Sequence, residues 1–280
     1  MSIPTRLHSM FAVVALATAV AMPAIATAQT APVVPADGTW RFGAALYLYL
    51  PSIDGNMAFP TRGGDASISV NSDSIFDSVN GAFMGTLEAN NGRWGVFTDF
   101  LYVDVSGSNS GTRDFQIGNS GAPSSVTANL DLKLKGSAWT IAGEYRLAAS
   151  RAFTMDALAG ARLLNVKPRL SWSLAGDLAG VPTAGRGGNN EIEANNWDAI
   201  IGVKGRYALG DSGRWSLPFY ADVGTGDSDL TWQVAGGLSY AFGWGDVLGM
   251  WRYLKYDMKS GQPVADLSFN GPMIGVVFHW

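Results

Sequence analysis

From Leu230 to Phe242 large apolar and small polar positions alternate along the chain. One face carries Leu230, Trp232, Val234, Gly236, Leu238, Tyr240 and Phe242, and the other carries Thr231, Gln233, Ala235, Gly237, Ser239 and Ala241. A period of two marks a strand with two unlike faces. The second face is small rather than charged, which suits the inside of a closed barrel better than the wet face of an open sheet.

Similar segments recur and predict ten strands: Trp40–Leu50, Gly81–Asn90, Arg93–Ser106, Ala128–Leu147, Ala152–Trp172, Asn195–Leu209, Arg214–Thr225, Leu230–Phe242, Asp246–Tyr256 and Leu267–Trp280. Asn91-Gly92, Ala148–Arg151, Gly210–Gly213 and Gly243–Gly245 read as tight turns at one end. At the other end Pro51–Asn80, Gly107–Thr127, Ala175–Ala194 and Asp257–Asp266 read as long loops, with only Gly226–Asp229 short. Tight periplasmic turns opposite longer outer loops are expected of a transmembrane barrel, and an even strand number puts the two termini on one side. The expected fold is therefore all-β: a closed antiparallel transmembrane barrel of about ten strands, within a range of eight to twelve. Ala66–Val70 could descend in an extra hairpin and raise the count to twelve. Ser74–Val79 places Ile75, Phe76 and Val79 on one helical face, a short helix either in the barrel mouth or on the surface.

Aromatic spacing supports a membrane. Trp94 and Tyr102 share a face, as do Trp197 and Tyr207, and Trp232 and Tyr240. At about 3.3 Å per residue and a tilt near 40°, these spacings span roughly 20–25 Å of height, the thickness of an apolar band. With Trp40, Tyr145, Trp215 and Trp280 they form the expected interfacial belts. The chain closes on Ile274, Val276, Phe278 and Trp280 at alternate positions, an ending similar to the C-terminal signal read by the barrel-assembly machinery.

Composition sharpens this reading. Charged residues make up only 15% of the chain, beside ten Trp, thirty-five Gly and no Cys. Arg6, the apolar run Phe11–Met22 and the ending Ala26-Thr27-Ala28 predict a signal peptide over residues 1–28, cleaved before Gln29. Residues 29–38 would be a short periplasmic segment and 39–280 the barrel. Loss of Arg6 takes the formal charge from −4 to about −5 and leaves no basic cluster along the chain, which argues against nucleic acid and anionic lipid headgroups as partners. No later stretch has eighteen consecutive apolar residues.

Inward parity assigns the lumen Asp99, Glu144, Arg146, Asp156, Arg162, Asp198, Lys204, Arg206, Asp222 and Arg252. The signs are mixed, which favours mutual pairing over a selectivity ring. Glu144 across a tight turn from Asp156 could form an acid/base pair, or Arg146 and Arg162 could neutralise the two in a lumen-filling network. The second arrangement is the expected one. Barrel hydrolases of the outer membrane set a histidine beside a serine or an aspartate. The mature chain offers only His279, one residue from the periplasmic end. Asp227 and Asp229 are the nearest thing to a cation site, and two carboxylates make a weak one. No cofactor or metal is expected, and no catalytic residue.

Gly160-Ala161-Arg162, Trp251-Arg252-Tyr253-Leu254-Lys255-Tyr256 and the aromatic terminus resemble the small proteobacterial outer-membrane barrels of the OmpA-like and OmpW-like kind. The resemblance covers the mature chain as architecture. It implies a non-catalytic, monomeric envelope protein or narrow pore in the outer membrane, with outer-membrane lipid and the assembly machinery as partners. Adhesion through the outer loops is the alternative, and a lumen hydrolase built on Glu144 and Asp156 the more distant one.

Overall fold

A period of two with unlike faces leaves β-strands as the regular structure of this chain. The computed structural model describes residues 38–58, 65–70, 79–117, 122–178, 181–191, 193–262 and 264–280. Its elements are β1 (Arg41–Tyr49), β2 (Ser52–Ala58), β3 (Asp65–Val70), β4 (Val79–Asn90), β5 (Trp94–Ile117), β6 (Ala122–Ala149), β7 (Phe153–Leu178), β8 (Val181–Glu191), β9 (Ala194–Leu209), β10 (Trp215–Gly226), β11 (Ser228–Ala241), β12 (Asp246–Met258) and β13 (Val264–His279). The expected signal peptide and the segment 29–37 lie outside the described residues. So do residues 71–78, which hold most of the expected Ser74–Val79 helix; Val79 itself opens β4. Among the described residues no helix is long and apolar enough to cross a membrane.

All pairings are antiparallel, and β1 pairs with β4 on one edge and with β13 on the other. The order β1-β4-β5-β6-β7-β9-β10-β11-β12-β13 thus closes into a barrel of ten staves. Closure removes the sheet edges that would otherwise leave backbone groups unpaired. The remaining strands lengthen staves instead of adding them. The register Leu48↔Ile274 continues unslipped into Ser52↔Asn270, so β1 and β2 form one run along β13. Pro51 has no N–H to donate and marks the break. Likewise Val166↔Ala194 and Arg169↔Glu191 share one register, which makes β8 the upper part of the stave that β9 completes. Ala66–Val70 does form a strand, β3, but it pairs with β2 above the ten-stave ring, so the count stays ten.

The tight turns lie at the end that carries the termini. In the first, Asn91 Oδ1 accepts from the N–H groups of Arg93 (3.1 Å) and Trp94 (2.8 Å), and Gly92 sits at φ +85°. The other end differs from expectation. The described residues of Pro51–Asn80, Gly107–Thr127 and Ala175–Ala194 are mostly strand, with β5 and β6 paired as far as Ile117↔Ala122. These segments are rich in Ser, Thr, Asn and Gly, which weakens the alternation of apolar and polar positions that marks the other staves.

The outer wall is apolar. Leu46, Leu87, Ile141, Ile201, Leu238 and Ile274 are exposed on it. At the terminus end Trp215, Tyr240, Phe242, Trp244 and Phe278 touch in sequence with ring centroids 4.7–5.7 Å apart, and Phe42 stacks on Trp280 at 6.1 Å. Trp94 meets Tyr145 edge-on at 4.7 Å in the same belt. Higher up stand Trp197, exposed, and Trp232, stacked on Tyr253 at 4.8 Å. Above them, on neighbouring staves, the wall turns charged: Lys135 pairs with Asp104 (2.9 Å), Lys167 with Glu193 (2.8 Å) and Arg169 with Glu191 (2.5 Å).

The core lies inside the barrel. In the half away from the termini Leu101, Val103, Val105, Leu134, Leu164, Val166, Leu254, Tyr256, Leu267 and Phe269 form one buried cluster. A gap of about 10 Å³ is lined by its members, room for about one water. These apolar residues share the inward face with the charged residues assigned to the lumen, as Leu101 does with Asp99 and Leu254 with Arg252. Both faces of Phe100–Val103 carry apolar or aromatic side chains, one set for the outer wall and one for this core.

Candidate functional site

Two polar layers and an open vestibule lie between the apolar core and the terminus end. Side chains reach them from alternate positions of β1, β4, β5, β6, β7, β9, β10, β11, β12 and β13, because a closed barrel sends every second residue inward.

The first layer is built on Arg252. Its guanidinium donates to Asp99 Oδ2 (2.9 Å), to Gln233 Oε1 (2.8 Å) and to the Tyr47 hydroxyl oxygen (3.1 Å). Asp99 also accepts from the Tyr47 hydroxyl (2.5 Å) and from Thr86 (3.0 Å). The Tyr49 ring lies 5.5 Å from the guanidinium carbon, and its hydroxyl donates to the Arg252 carbonyl (3.1 Å). The second layer is built on Arg162, which donates to Thr140 (3.1 Å), to Thr231 (3.4 Å) and to Asp222. Charges at such burial persist only when paired and hydrogen-bonded.

Nearer the termini the barrel opens into a cavity of about 1240 Å³. Lys204 Nζ bridges Glu144 (2.5 Å) and Glu88 (2.6 Å) on its wall and lies 5.0 Å from the centre of the Phe97 ring. Arg146 pairs with Asp156 beside them. Arg206 faces the same space and makes no side-chain hydrogen bond or ion pair among the described residues. At the rim His279 Nε2 lies 3.2 Å from Asp246 Oδ2.

The lumen residues read from parity all point inward, but their partners differ from those expected. Arg146, not Glu144, stands opposite Asp156, and Glu144 stands opposite Leu158. A slip at Arg146/Ala148 moves the register. Arg162 neutralises neither Glu144 nor Asp156. Asp198 is its cross-strand neighbour, yet Asp198 accepts instead from the Ser228 N–H (2.8 Å) and hydroxyl (2.9 Å), closing the turn between β10 and β11. In that turn Asp227 accepts from the Trp197 N–H (2.9 Å), which occupies a carboxylate considered for a cation. No cluster of three metal-ligating side chains occurs among the described residues. Glu88, Thr86, Tyr47, Thr140 and Gln233 also face inward and join these networks. Thr140 shares its face of β6 with Glu144 and Arg146, while the other four lie on β1, β4 and β11, where a single polar residue carries no pattern until the staves are in register.

No family model matches the chain, and no curated protein matches it. Among solved structures it is similar to the outer membrane protease OmpT from Escherichia coli, at 10% identity over 87% of this chain and 98% of that one, with a TM-score of 0.42. It is also similar to the translocator domain of the autotransporter NalP from Neisseria meningitidis, at 13% identity, 88% and 90% coverage and a TM-score of 0.32. A third is Ail, the attachment invasion locus protein of Yersinia pestis, at 11% identity, 86% and 98% coverage and a TM-score of 0.29.

Proposed function

We propose that this chain is an integral outer-membrane protein that works as a closed, non-catalytic envelope barrel. The observation that carries this reading is the filled lumen, with an apolar core above two layers of buried ion pairs. A ten-stave barrel has little room to spare, and here side chains take up the half away from the termini. The apolar outer wall and its aromatic belt support insertion in lipid. Export would use residues 1–28, and assembly would use the alternate apolar positions Ile274, Val276, Phe278 and Trp280, all on the outer wall at closure with β1. The barrel would act as a monomer, because closure leaves no stave unpaired.

Planar-bilayer recording on refolded protein tests the closed state. Silence is expected at each polarity, and stepwise, salt-dependent conductance would favour the narrow-pore reading instead. Glu144 and Asp156 are held by Lys204 and Arg146, which speaks against a hydrolase built on them. Their double amide variant should leave envelope lipid composition unchanged.

One observation favours a surface role alongside. β6 and β7 stay paired from Lys135↔Lys167 up to Ser124↔Leu178. At about 3.3 Å per residue and a tilt near 40°, that is a projection of roughly 30 Å beyond the apolar wall. Deleting residues 107–132 should abolish binding to host surfaces or phage, if that is their use, and leave the heat-modifiable band on a gel intact.

A further inference from the structure

The vestibule has two unlike walls. β12 and β13 contribute Leu248, Met250, Met273 and Val277, half-buried side chains that line the open cavity, with Met273 also packing against the lower edge of the core. Met250 and Met273 are direct cross-strand partners, and Leu248 stands opposite Gly275, so the four form one continuous apolar strip. It runs from the rim up to Arg252, which seals the inner end. Apolar side chains left facing an open cavity of this size are costly without something to cover them, and methionine pairs adapt to flexible apolar ligands.

The other wall is cationic toward the rim. Arg206 points into the cavity without a carboxylate partner, and Arg151 and Arg214 on the adjacent turns likewise make no side-chain hydrogen bond or ion pair among the described residues. Deeper cations are already engaged: Lys204 by two carboxylates and Arg146 by Asp156. The unengaged positive charge thus sits beside the mouth, and the apolar strip runs inward from there. A cavity of about 1240 Å³ exceeds the usual range for small-molecule sites, roughly 300–1,000 Å³.

We propose that the vestibule binds a single-chain amphiphile with an anionic head, entering from the end that carries the termini. Its head engages Arg206, with Arg151 and Arg214 at the rim, and its chain lies along Met250 and Met273. This site goes beyond the closed-barrel reading and does not depend on it, since a blind vestibule and an open one would bind alike.

The absence of cysteine allows a direct test. Met250→Cys and Met273→Cys are introduced singly, with Ser260→Cys in the far turn as reference, and each protein is reconstituted in phosphatidylcholine vesicles. The rate of modification by a membrane-impermeant methanethiosulfonate is measured with decyl phosphate, with 1-decanol and with inorganic phosphate. Decyl phosphate is expected to slow labelling at 250 and 273 at least tenfold relative to position 260, and the other two to leave it within twofold. Arg206→Gln should abolish most of the protection and Arg206→Lys should keep part of it. Where Arg206→Gln does not give a heat-modifiable band, the Arg151→Gln/Arg214→Gln double variant takes its place. Equal protection by decanol would overturn the anionic head, protection by inorganic phosphate alone would overturn the apolar chain, and no protection would overturn the site.

Discussion

Arg162 bypasses the carboxylate directly across from it on β9, Asp198, and pairs with Asp222 one stave further round, each side chain fully buried. Gly202 makes the reach possible: it stands opposite Asp222, and a Cβ there would come within 2.7 Å of the Asp222 Cβ. Removing one partner strands a buried charge, so Asp222→Ala should lower stability by about 3–5 kcal/mol. Among the described residues no group donates a hydrogen bond to Asp222 Oδ1. The Arg162→Met/Asp222→Leu double variant should therefore stay within about 1–2 kcal/mol of the parent, since apolar replacements of buried pairs are often neutral or better. Urea unfolding of the refolded barrel, followed by the heat-modifiable band, checks the two together; a double variant as weak as the single one would refute the assignment.

Gly160 offers a test of register. A Cβ at this position would lie 2.0 Å from the Ile141 carbonyl oxygen and 2.5 Å from the Ala142 Cα, which are backbone atoms that cannot turn aside. At Gly249 nothing lies within 4 Å. Gly160→Ala should destabilise by about 1–3 kcal/mol, as overpacking does, whereas Gly249→Ala should be neutral or mildly stabilising. Equal effects in the same unfolding assay would contradict the pairing of β6 with β7.

The ten staves are legible in the sequence wherever the outer wall is apolar and the lumen side small and polar, as at Leu230–Phe242. Legibility failed where the two sides became alike. Gly107–Thr127, rich in Gly, Ser and Asn, reads as a loop, though it is strand up to Ile117 and from Ala122. At Leu101 and Val103 the inward side is as apolar as the outward Phe100 and Tyr102, so alternation does not reveal the core they form. Charged lumen residues could be counted from parity, but partners such as Lys204 with Glu88 come from staves 116 residues apart in the chain. Only closure of the barrel sets those distances.

Leu254 sits at the centre of the buried core, 1% exposed and one position inward from Arg252 on the same face of β12. Leu254→Ala should destabilise by about 2–5 kcal/mol, the usual range for a buried leucine truncation. It should not open a pore, because the Arg252–Asp99 layer still closes the lumen beneath it. Unfolding and bilayer recording on the same preparation give the two readouts, and conductance steps would show that the core alone makes the seal.

Glu193 stands above the apolar wall, where hydrogen bonds from Lys167 and then Asn195 hold its carboxyl below the usual range. A folded pKa under the unfolded one means that the unfolded chain binds more protons as pH falls. The contribution of this contact is therefore present above the unfolded carboxylate pKa, about 4.3, and fades as pH drops through the lowered folded value. The pair is exposed, so its effect on stability is small. An NMR titration of Glu193 should move upward in Lys167→Met, and an unchanged midpoint would exclude the pairing.

Phe278 and Trp280 separate assembly from stability. Their rings lie on the outer wall, where Phe278 meets Trp244 and Trp280 stacks on Phe42, and the Trp280 N–H still bonds the Phe42 carbonyl at 3.0 Å. Exposed aromatic contacts of this kind add about 0.5–1.5 kcal/mol, too little for folding to depend on them. If the alternate apolar ending is what the assembly machinery reads, Phe278→Ser with Trp280→Ser should cut the yield of folded protein in the outer membrane severalfold. Refolding of the same variant into detergent should proceed to a heat-modifiable band as the parent does. Parallel losses in cells and in detergent would instead mean that these rings serve barrel closure against β1 and carry no separate assembly signal.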